Sequence, residues 1–101
     1  MSDEFIVGET VRLSVSVTAA DGETLADPDV LRLKTLRMGD VVQVYLYGTD
    51  AMIVRDSIGQ FHADIPLPLS GDWYYRWETS GPITGVAEGA LKVRSTRFPL
   101  S

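Results

Sequence analysis

The chain predicts an all-β fold, a two-sheet antiparallel sandwich of about seven short strands. Three observations carry this. Apolar and polar residues alternate with period two along much of the chain, which sends successive side chains to opposite faces of a strand. Clusters of Gly, Pro, Asp and Ser punctuate that alternation at about 8–12-residue spacing. No stretch carries the apolar spacing of a helix of normal length.

The strongest segment is residues 72–78, where Trp73, Tyr75 and Trp77 share one face and Asp72, Tyr74, Arg76 and Glu78 the other. Three such rings bring roughly 150–250 Å² each to whatever they cover, so they are expected inside. Ser70-Gly71 and Ser80-Gly81-Pro82 bound the segment with turn chemistry. Residues 9–18 form the first strand, Val11, Leu13, Val15 and Val17 inward. A polar loop over 19–29 follows, with Asp21-Gly22 and Asp27-Pro28 as turns. Leu31 and Leu33 begin a second strand that loses its parity near Leu36.

Residues 41–47 place Val42, Val44 and Leu46 on one face and Val41, Gln43, Tyr45 and Tyr47 on the other. Apolar character on both faces predicts a central strand, or one covered on its outer side. A brief strand over 52–55 turns through Asp56-Ser57-Ile58-Gly59 into 60–65, where Phe61, Ala63 and Ile65 face inward. Pro66 and Pro68 end the pairing there, having no N–H to donate. The last strand, 86–94, aligns Ala87, Gly89, Leu91 and Val93, with Gly89 expected opposite a tryptophan ring. The expected core comprises Trp73, Tyr75, Trp77, Phe61, Val15, Leu33, Val44 and Leu91, in one domain over 1–94 with a tail over 95–101.

The 101 residues suffice for one core, and 45% hydrophobic with 23% charged residues is ordinary for a globular protein. A net charge of −5 argues against nucleic acid or an anionic membrane as partner, since both demand a basic field. Without cysteine, disulfides, thiol catalysis and zinc–thiolate sites are excluded. Met1-Ser2-Asp3-Glu4 has neither the basic nor the apolar region of a secretion signal, which sets the expectation of synthesis and residence in the cytoplasm.

The Asp21-Gly22 and Asp27-Pro28 loop, the Arg55-Asp56-Ser57-Ile58-Gly59-Gln60-Phe61 hairpin and Gly71-Asp72-Trp73-Tyr74-Tyr75-Arg76-Trp77 together resemble an immunoglobulin-like domain. Trp73 and Tyr75 stand where that family carries a corner tyrosine and a core cysteine, so neither the corner hydrogen bond nor the disulfide is expected. The same aromatic segment with Glu88-Gly89-Ala90-Leu91-Lys92-Val93 looks like the closing strands of small immunoglobulin-like proteins of tailed bacteriophages. That resemblance implies a non-enzymatic virion component of the head, neck or tail, with other virion proteins or copies of itself as partners.

Several residues invite chemistry. His62, the one histidine, sits near Asp64 and Ser57, but no nucleophile-elbow motif accompanies it. Asp21, Glu23, Asp27 and Asp29 are acidic without the spacing of a calcium loop, and read as solvated turn carboxylates. No enzyme, metal or cofactor is expected. A carbohydrate-binding or adhesion module is the alternative, and it requires the Trp73, Tyr75 and Trp77 face to be exposed. For partner contact the candidates are Tyr45, Tyr47 and Tyr74, on faces read as outward, since tyrosine suits half-wet interfaces. Arg94, Arg97, Phe98 and Leu100 join them: acidic residues gather at the beginning of the chain and basic ones at its end, an arrangement suited to head-to-tail contacts.

Overall fold

The computed structural model describes residues 4–81 and 83–95. Arg97, Phe98, Leu100 and all of the tail after Ser95 lie outside the described residues. Eight strands form: β1 (Glu4–Ile6), β2 (Thr10–Ser16), β3 (Val30–Arg37), β4 (Gln43–Leu46), β5 (Ile53–Ser57), β6 (Gln60–Pro66), β7 (Gly71–Ser80) and β8 (Gly85–Arg94). They build a five-stranded sheet in the order β1-β8-β7-β3-β4 and a three-stranded sheet in the order β2-β6-β5. The molecule is the expected two-sheet sandwich, with one strand more than expected and one parallel pair, β1 with β8.

The core lies between the sheets. From the smaller sheet come Val11, Leu13, Ile53, Phe61, Ala63 and Ile65, and from the larger Leu31, Leu33, Trp77 and Val93, all buried. Trp77 is only 2% exposed. Val15, Trp73, Tyr75 and Leu91 are partly buried and pack against this cluster. Seven of the eight expected core residues therefore face inward.

Val44 is the exception, 53% exposed on the outer face. Its parity follows from pairing. Leu33 must face inward, Leu33 aligns with Tyr45, and Val44 aligns with the outward Lys34. Tyr45, expected outside, consequently packs against the core. β4 is also the edge of its sheet, neither central nor covered among the described residues. In β3 the alternation continues through Thr35, a buried threonine in an inward position, which leaves Leu36 outward.

Two glycines are dictated by close approach. Gly89 aligns with Tyr75, and a Cβ there would come 2.6 Å from Tyr75 Cε1, so the ring it accommodates is a tyrosine and not the expected tryptophan. Gly59 closes the β5–β6 hairpin at φ 69°, and a Cβ would stand 2.6 Å from Val17 O. Around it, Val17 N donates to Gly59 O at 2.7 Å and Gly59 N donates to Asp27 Oδ1 at 2.9 Å. The hairpin is thus pinned to the 17–27 loop.

Trp73 also departs from expectation. Its indole Nε1–H donates to Leu69 O at 3.0 Å. The bond ties a side chain near the start of β7 to the backbone four residues upstream.

Candidate interaction surface

The outward faces of the sheets differ in character. On the smaller sheet, polar side chains satisfy one another: Arg12 binds Asp64 through Nε at 2.8 Å and Nη2 at 3.1 Å, Ser16 donates to Gln60 at 2.8 Å, and His62 Nδ1 meets Asp56 at 2.8 Å. The Arg12 guanidinium holds the Asp64 carboxyl below its ordinary range. His62 lies in register between Ser14 and Val54 on this face. Its hydrogen-bond partner among the described residues is Asp56, and no hydrogen bond joins it to Ser57 there.

The acidic loop is internally committed. Asp21 accepts hydrogen bonds from Thr24 Oγ1 and from the backbone N–H groups of Glu23 and Thr24, which lower its carboxyl to about 2. Asp27 pairs with Arg55 Nη2 at 3.0 Å and accepts from Gly59 N. Among the described residues no group of three or more His, Cys, Asp or Glu side chains is placed to hold a metal.

The larger sheet's outer face carries a charge ladder. Lys34 and Arg76 stand directly opposite each other, a repulsive cross-strand pair. Glu78 resolves it, with Lys34 Nζ at 3.1 Å, Arg32 Nε at 3.4 Å and Arg76 Nε at 2.7 Å. The Arg76 approach is an ion pair without hydrogen-bond alignment, since that Nε finds no hydrogen-bond partner. Glu88, opposite Arg76, takes its Nη1 at 3.1 Å. The Lys34 hydrogen bond leads the causes that hold the Glu78 carboxyl below its ordinary value, opposed by partial desolvation.

Beside this ladder the face turns apolar. Leu36, Val42 and Tyr74 line a shallow hollow of about 170 Å³, with Lys34 and Glu88 at its rim. Val42 is 50% and Tyr74 40% exposed, and Val41 and Val44 extend the apolar surface along the β4 edge. Tyr74 is where the sequence places it, on the outward face. Tyr47 is equally exposed, at 40%, and its ring also packs edge-on to Phe61 at a centroid distance of 5.1 Å. Arg94 is exposed, and its Nε reaches Glu4 Oε1 at 3.5 Å within the chain. Of the aromatic face, Trp77 is buried, and Trp73 and Tyr75 are partly buried against the core.

Leu36, Val41 and Val42 were absent from the sequence-level contact candidates. Their signal was the apolar character of both faces of residues 41–47, which pointed to cover on the outer side. No protein-family model matches this chain, and no curated protein matches it in sequence.

Proposed function

We propose that this protein is a non-enzymatic assembly component, an immunoglobulin-like sandwich that works through protein–protein contacts made by the outer face of its larger sheet. The observation that carries the reading is the run of exposed apolar side chains on one edge and face: Val41, Val42, Val44 and Tyr74 around the Leu36 hollow. Apolar surface concentrated in this way marks a contact site, while scattered exposed residues do not. The charge ladder alongside supplies a polar rim that fixes register and partner choice. The resemblance of Gly71-Asp72-Trp73-Tyr74-Tyr75-Arg76-Trp77 and Glu88-Gly89-Ala90-Leu91-Lys92-Val93 to phage proteins supports a tailed-phage or prophage virion as the assembly. Mass spectrometry of purified virions is expected to detect the protein. Its absence from virions whose gene is intact would overturn the proposal.

A further inference from the structure

Among the described residues, one flank of the sandwich is open. β2 is an edge of the smaller sheet. On the same flank β1 pairs only with the 92–94 end of β8, so among the described residues no strand covers the edge of β8 from Gly85 to Glu88. Between these edges lies a cavity of about 450 Å³, walled by Val15 and the 16–20 segment on one side and by Trp77, Thr79, Ile83 and the start of β8 on the other. Trp77 and Thr79 are each at least nine-tenths buried, yet Trp77 Nε1 and Thr79 Oγ1 have no hydrogen-bond partner among the described residues. Unpaired buried polar groups are costly and point to a missing partner. The exposed β8 edge also lacks protection, since Gly85, Val86 and Ala87 carry no charge and edges left unguarded in this way accept added strands.

We infer that this flank is a strand-acceptor groove, and that its occupant is the 95–100 segment of a second copy of the chain. Read with period two, Thr96, Phe98 and Leu100 fall on one face and Arg97 and Pro99 on the other. That is the pattern of a short strand with an apolar face to bury. In such a strand Phe98 and Leu100 would direct their N–H groups to the same side, and the N–H that Pro99 lacks would belong to the side away from the acceptor edge. Charge agrees: Ala20 of the cavity lining is followed directly by the exposed Asp21, and the donor carries Arg97.

The donor must be a different molecule. An extended run from Arg94 to Phe98 reaches about 14 Å, while Ala87 lies about 23 Å back along β8. Donation from copy to copy is heterologous, and it produces a ring or a filament according to whether the rotation closes. The inference requires self-association alone and goes beyond the virion reading.

Light scattering on the full chain tests it. Wild-type protein is expected to rise in mass with concentration by about twofold or more. Phe98→Asp disables the donor and Ala87→Lys blocks the groove, so each alone is expected to be monomeric. A one-to-one mixture of the two retains one working donor and one working groove, and is expected to stop at a dimer. Thr84→Arg is a second groove variant, for use if Ala87→Lys fails to give cooperative thermal unfolding. A wild-type chain that stays monomeric overturns the inference and leaves the groove to another protein's strand. Undiminished association of either variant, or a mixture that remains monomeric, overturns it as well. A monomeric chain nonetheless present in virions would fail this inference alone.

Discussion

Gly89 and Tyr75 are one unit, because the ring occupies the volume that any β-carbon at position 89 would need. Gly89→Ala is therefore expected to lower stability by about 1–3 kcal/mol through overpacking. In a double-mutant cycle with Tyr75→Ala the two costs should fall short of adding, since removing the ring relieves the collision. Chemical denaturation of the four proteins measures this, and strict additivity would contradict it. Trp73→Phe keeps an aromatic ring but loses the bond to Leu69 O, with an expected loss of about 1 kcal/mol by the same measurement. Such details were only partly legible. The glycine announced a close approach, but the sequence could not name the ring, because the identity of the opposite residue depends on a register fixed by the β7–β8 turn.

At the scale of elements, β7 was the most legible, since its three inward rings and bounding turns agree. Trp77→Ala, at the centre of that face, is expected to cost about 3–5 kcal/mol in denaturant unfolding. β4 was the least legible. Valines and tyrosines are both apolar enough to claim the inner face, and only pairing with Leu33 decides between them. β1, three residues long and parallel to β8, had too little alternation to be read at all. The outer ladder across β3 and β7 gives a pH prediction. Glu78 has a folded-state value below its unfolded one, so its contribution is fully present above the unfolded value and is lost as pH falls through the folded value. The melting temperature is accordingly expected to drop on acidification below roughly pH 4.5, and Glu78→Gln, already destabilised at neutral pH because Arg32 and Lys34 lose their carboxylate and Arg76 keeps only Glu88, should show a shallower drop. Equal acid sensitivity in both proteins would dismiss the role assigned to Glu78.

For the whole molecule, the sandwich was legible and the proposed contact face largely was not. Burial is written in periodicity, whereas a contact face appears only when strand order sets Val42 beside Leu36 and Tyr74. Val42→Asp should leave stability within about 0.5 kcal/mol of wild type, as for most exposed positions, while reducing incorporation into virions measured by quantitative mass spectrometry. Normal incorporation would remove this face from the assembly. The parallel β1–β8 pair has a mechanical consequence. Glu4 aligns with Lys92 and Ile6 with Arg94, so tension applied at the two ends draws these strands in opposite directions along their length. Their hydrogen bonds then load in shear, all at once, and do not peel apart in sequence. Pulling from the ends should meet a force peak before the sheets separate, and Val7→Pro, which removes the N–H that donates to Arg94 O at 3.1 Å beside this short clasp, should lower it.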